Sequence, residues 1–126
     1  MALPQKHRLR GTKVFDRLYR QGRRFHGTWL TLRVLPAVPH LLSPRDRPHP
    51  ASPWRCAVVV SSKVSKRAVR RNHLRRLLQQ QLLHEPPVPS CPAWLVFSLK
   101  PGSLETDEAL LLGECRQLLR KAELRK

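Results

Sequence analysis

The sequence predicts a mixed α and β fold built around one small sheet. Three patterns predict it: apolar residues recur at helical spacing in three stretches, alternate along a fourth, and form two short continuous runs typical of buried strands. With 126 residues, the chain can build one modest core, so we expect a single domain over 1–126. The expected order is helix, strand, strand, helix, strand, helix.

The first predicted helix lies within residues 6–22. Four residues recur there at helical spacing: Val14, Phe15, Leu18 and Tyr19. Thr12 is the expected N-cap because its hydroxyl can accept a backbone N–H. Gly22 is expected to end the helix.

A strand is predicted over residues 25–35. Leu30, Leu32 and Val34 alternate with polar residues and give one apolar face. Trp29 and Leu35 fall on the opposite face, so the alternation is imperfect and the limits of this strand stay open.

Residues 36–53 form a proline-rich insertion. Six of these 18 residues are prolines, which lack the backbone donor that a helix or a central strand needs. We therefore expect an extended, mobile loop between two strands, with room for one further short strand.

The second half of the chain has stronger patterns. Residues 54–61 and 93–99 are apolar runs that predict buried strands. A helix is expected over 65–84, where four prolines follow it, and a final helix over 105–124. Ser103 is the expected cap of the final helix, whose first turn is acidic, as the helix dipole favours.

The charge balance points to a polyanionic partner. The chain carries 25 Lys and Arg against eight Asp and Glu, a formal net charge of +17. No stretch approaches the ~20 apolar residues that cross a bilayer, and residues 1–10 lack the apolar core of a secretory signal. We therefore expect a cytoplasmic protein that binds nucleic acid rather than a membrane.

The titratable residues do not predict a protein active site. Cys56, Cys91 and Cys115 are widely separated and have no metal-ligand spacing, so buried or idle thiols are expected. The six histidines are scattered, and six of the eight acids follow residue 84. Clustered carboxylates hold the ions in metal-dependent nucleases, so we expect neither a catalytic residue nor a metal site in the protein.

Residues 63–76 contain seven basic residues and no acid. On a helical wheel, Asn72, Arg75 and Arg76 share an arc with Gln79, while the leucines at 74, 77, 78 and 82 occupy a separate arc. A solvated basic face is the alternative interpretation. It is weakened because like charges four residues apart destabilise a helix unless an external anion offsets them.

These residues resemble a known family. Residues 66–76, Lys-Arg-Ala-Val-Arg-Arg-Asn-His-Leu-Arg-Arg, resemble the Arg-Asn-Arg signature of the bacterial ribonuclease P protein family, and 57–64 resemble the strand and turn that precede it. The opening of the chain through Gly22 and residues 95–102 are also similar, so only 36–53 falls outside. His73 stands where the family usually has the second Arg of the signature, and Gln79 where another basic residue is common.

The resemblance implies an α+β fold that is ribosomal-protein-like: a small mixed β-sheet packed by helices, with a left-handed β-α-β crossover carrying the signature helix. It implies the protein subunit of ribonuclease P, in which the RNA is the catalyst. The protein would bind that RNA and the 5′ leader of precursor tRNA, and would promote endonucleolytic removal of the leader. Mg²⁺ would enter through the RNA and the substrate, and the protein would be a monomer in a 1:1 ribonucleoprotein.

The resemblance also implies site residues. Phe15 and Tyr19 would line the leader cleft, although core packing is an equal reading for Phe15. The three tryptophans are expected in or beside the core rather than as base platforms. The expected RNA-binding residues are Lys63, Lys66, Arg67, Arg70, Arg71, Asn72, His73, Arg75 and Arg76.

Two other functions compete with this interpretation. A ribosomal or other structural RNA-binding protein, with no role in cleavage, would have the same composition. A DNA-binding protein that places helix 65–84 in the major groove is less favoured, since that helix follows a strand and lacks a helix-turn-helix partner.

Overall fold

Four strands form one mixed sheet in the order β1-β2-β4-β3. The computed structural model describes residues 3–47 and 52–125. β1, β2 and β4 pair antiparallel, and β3 pairs parallel with β4. The predicted α+β class with a small mixed sheet is confirmed. The elements are α1 (Thr12–Gln21), β1 (Arg23–His26), β2 (Leu30–Pro36), β3 (Trp54–Val59), α2 (Ala68–His84), β4 (Ala93–Leu99) and α3 (Glu108–Lys121).

The prediction of one strand over 25–35 is wrong, because a turn at residues 27–29 divides it into β1 and β2. The Gly27 N–H donates to the Leu30 carbonyl at 2.8 Å. The Glu114 carboxylate of α3 accepts the backbone N–H groups of residues 28, 29 and 30. A Cβ at Gly27 would collide with that carboxylate, so a larger residue there would displace Glu114 from the turn.

The sheet separates two apolar cores. Alternate residues of β4 face opposite sides: Leu95 and Phe97 join the larger core under α2 and α3, whereas Trp94 and Val96 join the smaller core with α1. Leu35 lies in the smaller core as predicted. Trp29 packs beside the core, as expected of the tryptophans, but it joins the same core as Leu30 and Leu32 and not the opposite face. The predicted face is wrong because Trp29 lies in the turn and not in a strand.

The helix ends differ from the predicted caps. α1 has Gly11 at its N-cap with φ 116°, and Thr12 is the first helical residue, whereas Gly22 ends the helix as predicted. α3 begins at Glu108, because the Asp107 carboxylate accepts the Ala109 N–H at 2.8 Å. The predicted cap Ser103 is instead buried in the turn that follows β4, where its N–H donates to the Lys100 carbonyl.

α2 connects the parallel strands β3 and β4, so the predicted β-α-β crossover is present. Its left hand stays a prediction. The helix begins at Ala68 rather than at residue 65. The Ser65 hydroxyl accepts the Arg67 N–H at 3.2 Å, which holds residues 65–67 in a turn before the helix.

The proline-rich stretch is not an extended loop over 37–47. It forms two 3-10 turns, Pro39–Leu41 and Pro44–Asp46, and buries Leu42 against the smaller core. The described part of this stretch adds no strand beyond the end of β2, and the predicted loop residues 48–51 lie outside the described residues. Among the described helices, none is long and apolar enough to cross a membrane.

Candidate nucleic-acid interface

α2 separates an apolar face from a basic one, as the sequence predicts. Leu74, Leu78 and Leu82 are buried under the sheet, and Leu77 is packed partly against the same core. The first turn overhangs the core, since Val69 is 81% exposed. Side chains of this turn therefore reach solvent on every side, which explains how its arginines can be exposed on the same arc as the leucines.

The nine predicted RNA-binding residues lie on α2 and the turn before it, and we call them the α2 basic surface. Seven are exposed, and Arg71 and Arg75 are half-buried. Among the described residues, no Lys or Arg of this set forms an ion pair. The exposed members are Lys63, Lys66, Arg67, Arg70, Asn72, His73 and Arg76.

Three members of the α2 basic surface are oriented by hydrogen bonds. Arg71 Nη1 donates to the Ser65 carbonyl at 2.9 Å, which ties the helix to the preceding turn. Arg75 Nη1 donates to Asn72 Oδ1, and its Nε reaches the Val58 carbonyl on the edge strand β3 at 3.4 Å. Their remaining N–H groups are available to an external acceptor.

His73 points toward α3. Its Nε2 lies 2.9 Å from Glu108 Oε2, and both side chains are more than half exposed. Among the described contacts of the α2 basic surface, that of His73 is the one to a carboxylate.

On the other face of the sheet, α1 leaves a second surface open. Phe15 is half-buried against the smaller core, and Tyr19 is 47% exposed. Their ring centroids lie 6.5 Å apart. Phe15 therefore packs on the core, which is one of its two predicted roles, and leaves part of its ring accessible beside Tyr19. Its role in a leader cleft stays a prediction.

The structure adds Arg33, which the sequence analysis missed. Its Cζ lies 4.5 Å from the centroid of the Tyr19 ring, a cation–π contact. The available signal was a charged residue in the middle of β2, on the face opposite the leucines. The register places Ser98 and Val59 on the same face, and both are half-buried. We call Phe15, Tyr19, Arg33, Val59 and Ser98 the α1 cleft.

The cysteines are placed as the sequence predicts. Cys56 and Cys115 are buried, and burial raises the pKa of the Cys115 thiol to about 12. Burial raises the pKa of Cys56 further still, so neither thiol is a thiolate near neutral pH. Cys91 is exposed. No group of three or more His, Cys, Asp or Glu within 3–47 and 52–125 could hold a metal ion.

A mixed sheet with an arginine-rich helix on one side and an aromatic, basic cleft on the other defines a nucleic-acid-binding α+β protein. The comparisons narrow this class. The family model for Ribonuclease P matches residues 3–123. The Ribonuclease P protein component of Parasynechococcus marenigrum (strain WH8102) is 52% identical over 128 residues, covering 98% of each chain.

Solved structures agree on the fold. The RNase P protein of Staphylococcus aureus superposes with a TM-score of 0.75 at 14% identity, covering 95% of this chain and 98% of that one. The RNase P protein of Thermotoga maritima gives 0.70 at 18% identity, covering 90% and 96%. The chain belongs to the ribonuclease P protein family and is a protein subunit of that tRNA-processing endoribonuclease, whose RNA is its partner.

Proposed function

We propose that this chain binds the catalytic RNA of ribonuclease P through the α2 basic surface and holds the 5′ leader of precursor tRNA in the α1 cleft. The RNA carries out the hydrolysis that gives the mature 5′ end. The observation that carries the proposal has two parts. On one side of the sheet, the lysines and arginines of the α2 basic surface form no ion pair with a described acid, and on the other side the rings of Phe15 and Tyr19 are accessible.

The chemistry of the α2 basic surface suits a folded RNA. Arg guanidiniums donate in a fork that matches phosphate oxygens, and each phosphate contact releases counterions. The half-buried Arg71 and Arg75 are already oriented by carbonyl acceptors, so less side-chain entropy is lost when they bind.

The α1 cleft suits a single strand. Unpaired bases stack on aromatic side chains, and a contact of this kind is worth about 1–3 kcal/mol per base. Tyr19 offers such a ring, and Arg33 lies over it with a positive charge that favours the adjoining phosphate. The leader is single-stranded, whereas the mature 5′ end is paired in the acceptor stem, so the cleft distinguishes precursor from product.

The placement of acids supports catalysis by the RNA. Glu114 is committed to the backbone N–H groups of a turn, and Asp46 and Glu85 are paired with arginines. Mg²⁺ keeps several waters and prefers phosphate and carboxylate oxygens, so the RNA and the substrate would supply its ligands. We further propose a cytoplasmic, monomeric protein in a 1:1 ribonucleoprotein.

Reconstitution tests the proposal. The protein is mixed with a bacterial ribonuclease P RNA at low Mg²⁺, where the RNA alone is slow, and cleavage of the leader is followed. We expect cleavage to be restored by the protein with the RNA, and no cleavage by the protein alone. Binding without stimulation would instead favour a structural RNA-binding protein with no role in cleavage.

A second experiment tests the α1 cleft. Phe15→Ala and Tyr19→Ala should weaken the binding of leader-bearing precursor to the reconstituted enzyme and spare the binding of mature tRNA. Tyr19→Ala is the cleaner variant because Tyr19 is 47% exposed and contributes little to the core. Leu110→Ala on α3, also exposed, is the control. Equal losses for both RNAs would assign Phe15 to the core alone.

A further inference from the structure

Two arginines stand directly opposite each other at the β1 side of the α1 cleft. The register pairs Arg24 of the edge strand β1 with Arg33 of β2. Directly opposed side chains of an antiparallel pair lie on the same face, so Arg24 shares the face on which Arg33 contacts Tyr19. Like charges in this position destabilise a sheet.

Nothing in the described chain neutralises this pair. Neither arginine forms an ion pair with a described carboxylate. Glu114, which reaches the same hairpin, is bonded to the backbone of its turn. β1, the edge strand that carries Arg24, also holds Arg23 and His26 and contains no acid.

Arg33 also lacks a hydrogen-bond acceptor. Its Nε is buried and has no partner among the described residues, while the guanidinium is held over the Tyr19 ring. A buried donor left unpaired costs about 1–3 kcal/mol. Two independent observations, a repulsive pair and an unpaired donor, therefore indicate a missing anionic acceptor at one place.

We propose that Arg24 and Arg33 form a phosphate-binding site that takes an internucleotide phosphate of the single-stranded 5′ leader. A phosphodiester between the two guanidiniums offsets their repulsion and gives the Arg33 side chain an acceptor, which it lacks among the described residues. The inference rests on the proposed leader cleft and extends it. A base stacked on Tyr19 is followed by a phosphate at Arg33 and Arg24, and the leader leaves the protein over β1.

This site would contact the sugar-phosphate backbone of the leader and not its bases. Phosphate contacts position a nucleic acid without selecting its sequence. We therefore expect the site to add affinity for any leader long enough to reach it, and none for a shorter leader or for mature tRNA.

The test uses the reconstituted enzyme and precursor tRNAs whose leaders lengthen one nucleotide at a time. Arg24→Gln and Arg33→Gln should each lose about fivefold in affinity, roughly one phosphate contact, only above a threshold leader length. Arg23→Gln is the matched control: it lies on the same strand with its side chain on the opposite face, over Phe25. Loss of affinity for short leaders or for mature tRNA would overturn the proposal.

A neutral methylphosphonate, placed at one leader position after another, locates the phosphate. At one position the wild-type enzyme should lose affinity while the Arg24→Gln/Arg33→Gln double variant loses none, since the contact is already gone. Equal losses in both enzymes at every position would contradict the site.

The failure of this site is distinguishable from the failure of the cleft. If Tyr19→Ala loses leader-dependent affinity and the two arginine variants do not, the phosphate site is wrong and the cleft stands. If none of the three does, both are wrong. Misfolding is excluded by urea unfolding, in which Arg24→Gln should raise the midpoint at low salt because it removes the repulsion.

Discussion

The arginines of this chain divide into two groups that the sequence does not distinguish. Arg10 and Arg55, which hold the N-terminal segment and the proline-rich stretch together, donate to acceptors within the protein. Arg67, Arg70 and Arg76 of the α2 basic surface are exposed and form no ion pair with a described acid. The net charge of +17 therefore overstates the charge available to RNA.

The inner group forms a network around the buried Asp46. Arg10 donates to both Asp46 carboxylate oxygens at 3.0 and 3.1 Å, and this contact lowers the pKa of Asp46 to about 2. Arg55 is 3% exposed and donates to the carbonyls of residues 5, 8 and 46. Burial lowers the pKa of Arg55, yet a guanidinium stays charged at any ordinary pH. These arginines stabilise the fold, and the outer group is left for a partner.

The largest effect is expected for Arg55→Met. The substitution takes a donor away from three carbonyls, of which only that of Gln5 keeps another donor, the Arg8 N–H, among the described contacts, and it removes a charge that faces Asp46. It should therefore lower the free energy of unfolding by about 3 kcal/mol. Urea unfolding measures it. Arg76→Met, an exposed member of the outer group, is the control and should stay within about 0.5 kcal/mol. Equal losses in the two variants would remove the distinction between the groups.

The next largest effect is expected on the pH dependence of the free energy of unfolding, tested with Asp46→Asn. Because the pKa of Asp46 is about 2 in the folded protein and 3.8 ordinarily, its ionised form stabilises the fold fully above pH ~4. That contribution, at most about 2 kcal/mol, is lost as the pH falls toward 2. The difference in free energy of unfolding between wild type and Asp46→Asn should therefore shrink from pH 5 to pH 2. A constant difference would contradict it; the exposed Asp16→Asn is the control variant.

A smaller effect is expected on RNA affinity from the α2 basic surface. Arg71→Ala, Arg75→Ala and Arg76→Ala should each weaken binding to the catalytic RNA and reduce the slope of log affinity against log salt by about one unit. Arg47→Ala sharpens the comparison, since Arg47 is exposed but lies in the proline-rich stretch, outside the α2 basic surface, and donates to two loop carbonyls, those of residues 40 and 42. Its salt slope should be that of the wild type; a lower slope would place the proline-rich stretch at the RNA as well.

The smallest effect is expected at His73. His73→Arg adds a permanent charge to the α2 basic surface, so affinity for the RNA should rise by about two- to fivefold. Glu108→Gln removes the carboxylate that the His73 ring contacts, and should act in the same direction. An unchanged affinity in both variants would mean that this position serves the contact between α2 and α3 and not the RNA.

The sequence alone predicted the elements whose signals are local. Apolar runs gave β4 over residues 93–99 to the residue, and the spacing of Leu74, Leu78 and Leu82 gave the buried face of α2. The helical wheel of α2 also predicted its basic face, and the signature in residues 66–76 identified the family. These predictions succeeded because apolar runs and helical periodicity depend only on residues a few positions apart in the sequence.

The tertiary structure decided what depends on distant residues. The break between β1 and β2 is held by Glu114, whose carboxylate accepts backbone N–H groups 84 to 86 residues away. No pattern in the residues around the break predicts this contact. The folding of residues 37–47 depends on Arg10 and Arg55, 36 and nine residues from Asp46. The composition established that this protein carries excess positive charge; only the positions of a few carboxylates and carbonyls decided which arginines are free, because a hydrogen bond depends on distance in space and not along the chain.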